Sequence, residues 1–232
     1  MCGRFTRSYS WQEVHDFLDL KFPEELEIPA SYNVAPTQVS PVARNGERGR
    51  ELAWCRWGLV PSWAKDPSVG SRMINARAET AAEKPAFRAA MKRRRCVVPA
   101  SGFYEWQKDA GGKKRPHYIA RADGAVLLFA GLWEEWDHGD GPLQTFTVLT
   151  TAPNELMATL HDRMPVVLER EEVGAWLDPR AEVASVRPML DSAADGVLVA
   201  HEVSARVNSV RADDARLIEP ADPGAGTLWG GD

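Results

Sequence analysis

Short extended segments cut by turns rich in proline and glycine, without regular alternation with long helices, constrain the fold of this chain most. Six stretches carry strand-forming composition: Glu51 to Val60, Arg95 to Val98, His117 to Arg121, Ala125 to Trp133, Gln144 to Thr150 and Met164 to Leu168. A doubly wound parallel sheet needs strands and helices in steady alternation, and that pattern is absent. The reading is therefore an α+β fold, with antiparallel β-sheets forming a partly closed barrel-like core and peripheral short helices.

The helices are few. Ser10 followed by Glu13 reads as a capping box, and Trp11, Val14, Phe17 and Leu18 fall at helical spacing behind it. Thr80 with Glu83 starts a second helix that Pro85 must interrupt, or a fresh one opens there and runs through Phe87 and Met91 to Arg94. Asn154 to Leu160 and Glu171 to Leu177 read as a third and a fourth, the last stopped by Asp178-Pro179. Residues 92–95, Lys-Arg-Arg-Arg, end a helix, where cations meet the negative end of its dipole. They read first as a solvated helix end and only second as a nucleic-acid contact.

At 232 residues the chain can bury a full core in one domain. No apolar run approaches the roughly 18–20 residues of a membrane span, and no signal-peptide pattern opens the chain, so a cytoplasmic location without membrane contact is expected. Cys2, Cys55 and Cys96 form an odd, widely spaced set without a CxxC pair, and the five histidines show no ligand spacing. Neither a disulfide framework nor a metal site is expected. The net charge of −5 averages two unlike halves. Residues 1–115 hold 20 Lys and Arg against 13 Asp and Glu, a net of +7, and residues 116–232 hold 8 against 20, a net of −12. The basic half permits a phosphate-contacting face.

Chemistry enters with Cys2. Removal of the initiator methionine leaves an α-amine and a thiol on one residue, able to attack an aldehyde in turn: the amine forms an imine, and the thiol closes onto the same carbon as a thiazolidine. The ordinary pKa values, about 7.7–8.0 for the amine and about 8.5 for the thiol, make both nucleophilic forms appreciable near neutrality. On Met-Cys alone, an accident of position is the better account, and the rest of the chain reverses it.

Six separated segments are polar or aromatic where packing alone would ask for turns or core: 1–5 (MCGRF), 31–37 (SYNVAPT), 57–63 (WGLVPSW), 75–79 (NARAE), 101–106 (SGFYEW) and 160–165 (LHDRMP). Together they resemble the SRAP family, the abasic-site-processing proteins also called SOS-response-associated peptidases. The correspondence runs from Cys2 to about Pro220 and includes Val207-Asn208 and Ile218-Glu219-Pro220. It implies a single SRAP-like domain over 2–220, with a flexible tail over 221–232. It also implies a monomer needing no cofactor, which forms a covalent crosslink through the terminal cysteine to the ring-opened aldehyde of an abasic site in single-stranded DNA. That adduct would shield the lesion during a DNA damage response, the protein being nucleoid-associated when bound.

Carried over residue by residue, the resemblance makes Cys2 the nucleophile, Glu105 the general acid/base and His161 a proton donor to the sugar ring oxygen. A carboxylate among aromatics is partly desolvated, a setting suited to proton transfer, and an imidazole titrates near neutrality. Asn75 can hold the terminal amine or the sugar, since its amide both donates and accepts, and Asn33 can meet the DNA backbone in the same way. Either asparagine is equally an ordinary Asx-turn residue. Arg4 and Arg77 are the best phosphate ligands, and Arg163 is weaker because the adjacent Asp162 can pair with it. Trp63 is the aromatic expected against a base, whereas Trp54 and Trp57 read as packing residues. Two other functions stay open: an autoproteolytic N-terminal-nucleophile peptidase and a non-covalent single-strand-binding module.

Overall fold

The computed structural model describes residues 2–21, 27–108, 111–137 and 141–221. The tail expected over 221–232 lies outside the described residues except for its first. Twelve strands build two sheets: β1 Phe5–Arg7, β2 Ser31–Val34, β3 Val39–Gly46, β4 Gly49–Trp57, β5 Asn75–Arg77, β6 Arg95–Ala100, β7 Gly102–Lys108, β8 Lys114–Arg121, β9 Leu127–Trp136, β10 Leu143–Thr151, β11 Met164–Pro165 and β12 Leu198–Glu202. The helices are α1 Trp11–Leu18, α2 Ala78–Ala81, α3 Arg88–Arg93, α4 Glu155–Ala158, α5 Val173–Leu177 and α6 Val183–Val186.

One sheet runs in the order β10-β4-β3-β6-β9, and β9 pairs back onto β10, so five strands close into a barrel. Closure removes the exposed edges that an open sheet of such short strands would present. β11 and β5 attach to β10 outside the ring. The second sheet runs β12-β8-β7-β1-β2. The expected α+β barrel architecture is present, with one addition. β10 pairs in parallel with β4 and with β5, which only long connections permit, and residues 58–142 supply one for β4.

The barrel is filled with aromatic side chains. The Phe5 and Trp57 rings lie 5.0 Å apart, Trp57 stacks on Phe146 at 6.2 Å, and Phe103 meets Phe129 edge-on at 5.7 Å. Trp57 is fully buried as expected, and its indole donates to the Ile74 carbonyl at 2.8 Å. Trp54 corrects its reading: it lies on the barrel surface, 39 % exposed, beneath the Arg7 guanidinium.

The capping box forms at α1, where Ser10 Oγ accepts from the Glu13 amide and Glu13 Oε2 accepts from the Ser10 amide. Trp11, Val14 and Leu18 face the core. Asn154 caps α4, accepting from the Met157 amide at 3.0 Å. The basic run that ends α3 is not uniformly solvated. Lys92 and Arg93 are exposed, Arg94 pairs with Glu134, and Arg95 is buried at the start of β6. The Arg95 guanidinium donates to the carbonyls of Met91, Lys92, Trp176, Asp178 and Ala181, fastening α3 and α5 to the barrel. Burial of that charge is tolerable because its donors are matched.

Candidate active site

The N-terminal strand is placed by its neighbours. Phe5 lies opposite Phe103 of β7 and Val34 of β2, and the Tyr104 amide donates to the Arg4 carbonyl at 2.9 Å. Gly102 makes this docking possible. A Cβ there would come within 2.3 Å of the Tyr118 ring, which crosses over Gly102 to reach Thr6 Oγ at 3.1 Å. Seated in this way, Cys2 is fully buried at the end of the barrel's apolar cluster.

Asn75 opens β5, and pairing with β10 sets it opposite Val148. From there its Nδ2 donates to the Cys2 carbonyl at 2.7 Å. Its Oδ1 is buried and accepts no hydrogen bond among the described residues. A buried acceptor left in that state costs about 1–3 kcal/mol, which a donor arriving at the same place would recover.

Strand alternation decides where Glu105 points. Successive side chains of β7 face opposite sides, so Phe103 and Glu105 share one face and Tyr104 takes the other. Phe103 belongs to the cluster that contains Cys2, and Tyr104 to a separate one. Glu105 is accordingly buried, 4 % exposed, on the Cys2 side, with Oε1 accepting from the Trp106 amide at 3.2 Å. Its charge is felt at the thiol. Burial first, and then the Glu105 carboxylate, push the Cys2 thiol well above the ordinary cysteine range. In the chain that still carries Met1 the thiol is thereby held neutral, its Sγ directed at the Arg4 carbonyl at 3.9 Å.

His161 and Arg163 reach the same neighbourhood through β10 and β11. Thr150 of β10 lies opposite Arg77 on one side and Pro165 on the other, and Arg163 donates to the Thr150 carbonyl. Arg163 pairs with Glu79, not Asp162, through two bonds of 2.6 and 2.8 Å. Asp162 pairs instead with His161 Nδ1 at 2.7 Å, a nitrogen that also lies 3.0 Å from the Arg163 amide. Gln107 of β7 donates to the Thr159 carbonyl, drawing the segment that carries His161 toward the strand that carries Glu105.

Arg4 and Asn33 are joined directly. Arg4 Nη1 donates to Asn33 Oδ1 at 2.7 Å and to the Val207 carbonyl at 2.9 Å. Asn33 is 1 % exposed, and its Nδ2 faces the carbonyls of Val207, Ser209 and Ala212. It is thus an internal strut that orients Arg4, and its amide does not face solvent. Trp63, 64 % exposed, shares with Asn75 and Arg77 an open groove of about 590 Å³. Among the described residues no group of three or more His, Cys, Asp and Glu side chains is arranged to hold a metal ion.

The SOS response associated peptidase (SRAP) family pattern matches residues 1–210. The chain belongs to this family. Among its relatives, the abasic site processing protein YoaM of Bacillus subtilis is 42 % identical over 224 residues, 94 % of this chain and 98 % of that protein. The abasic site processing protein YedK of Escherichia coli is 32 % identical, covering 95 % and 100 %. A crystal structure of a protein from Bacteroides thetaiotaomicron superposes with a TM-score of 0.84 at 26 % identity, over 95 % of this SRAP chain and 100 % of that one.

Sequence reasoning did not single out several other residues that line grooves beside these side chains. Lys84 and Phe87 line the Trp63 groove, and Trp106, Lys114 and Asn208 line a second one. Trp106 and Asn208 lay within the matched segments and could have been weighed. Lys84 and Lys114 carry no local pattern that sets them apart from other surface lysines.

Proposed function

We propose that this protein captures abasic sites in single-stranded DNA by covalent bonding at Cys2. The observation that carries the reading is the grip on that residue: its carbonyl is held by Asn75, whose buried amide oxygen accepts no hydrogen bond among the described residues, and its thiol is buried next to Glu105.

Once methionine is removed, the Cys2 amine attacks C1′ of the ring-opened sugar. Loss of one water gives the imine. The thiol then adds across the C=N bond, its sulfur to carbon and its proton to nitrogen, and closes the thiazolidine with no further atom lost. The neutral thiol fixes this order, because the amine is the stronger nucleophile until a base relieves the sulfur of its proton. Glu105 is the base for that step and the acid that protonates the departing hydroxyl. Asn75 Oδ1 accepts from the amine, and His161 protonates the sugar ring oxygen to expose the aldehyde. Arg4, Arg77 and Arg163 hold phosphates, and Trp63 lies against a base. Both partners being held in place makes ring closure effectively intramolecular.

The test mixes the mature protein with a single strand bearing one abasic site. A band that survives denaturation, absent for Cys2→Ala and for protein retaining Met1, is the expected result. Retention that is wholly non-covalent, or equal crosslinking by the blocked form, refutes it. Steady turnover of a peptide without DNA adduct would replace it with the peptidase reading.

A further inference from the structure

The loop that carries His161 is fastened on both sides. After His161, Arg163 bonds Glu79 and the Thr150 carbonyl. Before it, Gln107 of β7 donates through Nε2 to the Thr159 carbonyl at 2.9 Å. We propose that Gln107 is a positioning residue, and that this one bond sets where the His161 imidazole stands against Glu105.

The arrangement follows from the strand. Glu105 and Gln107 lie two positions apart on β7 and share a face, so one rigid element bears both the carboxylate and the amide that draws in the His161 loop. Gln107 is half-buried, and its amide cannot turn over. Its Oε1 accepts from Arg115 Nη2 at 3.3 Å, on the neighbouring strand β8. A guanidinium can only donate and the Thr159 carbonyl can only accept, so both neighbours demand the same orientation of the amide. Arg115 is paired in turn with Glu202 of β12 at 3.2 Å. Three strands of the second sheet thus stand behind a single contact to the loop. The tie reaches the imidazole with little slack. Thr159 is the C-cap of α4, and the His161 amide donates to the Met157 carbonyl at 2.8 Å, so Thr159 and His161 ride on the same closed turn. A displaced imidazole slows the reaction steeply, because proton transfer to the sugar ring oxygen needs the two heavy atoms within hydrogen-bond reach.

This inference rests on the role of His161 proposed above, and its test separates the two. Crosslinking of a strand bearing one abasic site is timed in single turnover for Gln107→Ala, Gln107→Glu and Gln107→Lys. The glutamate keeps a partner for Arg115 and loses the donor, whereas the lysine loses that partner and keeps a donor able to reach the Thr159 carbonyl. Gln107→Ala and Gln107→Glu should slow crosslinking about 2- to 10-fold with strand affinity within about twofold, and Gln107→Lys should stay within about twofold of wild type. In a His161→Gln background, Gln107→Ala should slow the reaction by no more than about 1.5-fold further, since its effect passes through the imidazole. Equal rates for all three variants, or the same loss in that background as in wild type, overturn the positioning role. A second readout needs no chemistry. The His161 ring signal in heteronuclear NMR spectra, assigned by its absence from His161→Gln, should move in Gln107→Ala and Gln107→Glu and hold its place in Gln107→Lys. A ring signal unmoved by all three overturns the proposal. Crosslinking indifferent to His161→Gln refutes the proton-donor reading, and the ring signal then decides by itself whether Gln107 places the imidazole.

Discussion

Asn33→Ala removes a strut from beneath the reactive terminus, and its cost can be worked from the bonds it breaks. Asn33 Oδ1 accepts from the Arg4 guanidinium, a charged bond of the kind that contributes about 1.5–3 kcal/mol. Its Nδ2 faces three carbonyls but has only two hydrogens, so the contacts to Ala212 at 2.7 Å and Ser209 at 3.0 Å count fully and the 3.4 Å approach to Val207 does not. Those two contribute about 0.5–1.5 kcal/mol each, and with the Arg4 bond the loss is about 2.5–6 kcal/mol. In a domain of this size 1 kcal/mol moves the melting temperature by about 2–4 °C, so a fall of roughly 5–24 °C is expected. Asn33→Asp keeps the acceptor for Arg4 but sets a carboxylate against carbonyl oxygens, and it should be at least as damaging. Thermal unfolding followed by circular dichroism measures the stability, and the crosslinking rate at a permissive temperature measures the effect on the site. A melting temperature within about 2 °C of wild type for both variants would refute the strut.

Further outcomes follow from the same geometry. Burial raises the thiols of Cys2, Cys55 and Cys96 above the ordinary cysteine range, that of Cys55 to about 12. The folded state therefore keeps protons that the unfolded chain releases above about pH 8.5, and stability must fall as pH rises, by about 1.4 kcal/mol per pH unit for each thiol. Denaturant melts between pH 9 and 11 should show this slope, reduced by one thiol's share in Cys55→Ala; an unchanged slope would contradict the linkage. Glu105→Gln should slow crosslinking about 10²- to 10⁴-fold with strand affinity within about twofold. The same change should also speed alkylation of Cys2 by iodoacetamide, because a charge that holds the thiol pKa up is gone; unaltered crosslinking would remove Glu105 from proton transfer. Gly102→Ala should cost about 1–3 kcal/mol, since its Cβ meets the Tyr118 ring at 2.3 Å. Tyr118→Phe in the same chain should restore little, because ring carbons as well as the hydroxyl are in the way.

Parts of the fold were legible because local chemistry agreed with the final structure. The apolar runs at Arg95 to Val98 and Gln144 to Thr150 became β6 and β10, and the Ser10–Glu13 pair capped α1. β3 was hidden by Pro41, a residue type that argues against a strand interior yet sits inside this one opposite Trp54. β7 was hidden by Glu105, a charge that strand patterning would not bury. β5 is only three residues long and exists because β10 pairs with it. At the site, the types of Cys2, Asn75 and Glu105 could be read, but not the 2.7 Å bond that joins two of them across 73 positions. Arg95 misled for a similar reason: five carbonyls that stabilise its charge come from segments as distant as Ala181. Solvation and burial look alike in a string of cations until the partners are assembled.

The brace between Arg4, Asn33 and the Val207 carbonyl has a consequence for biosynthesis. Arg4 and Asn33 are held in place by a segment synthesised long after them, Val207 following Arg4 by 203 positions. A chain stopped short of residue 207 keeps Cys2 and Arg4 but lacks the carbonyls that hold Arg4 and Asn33 in place, so the N-terminal strand is finished only after that late segment has been made.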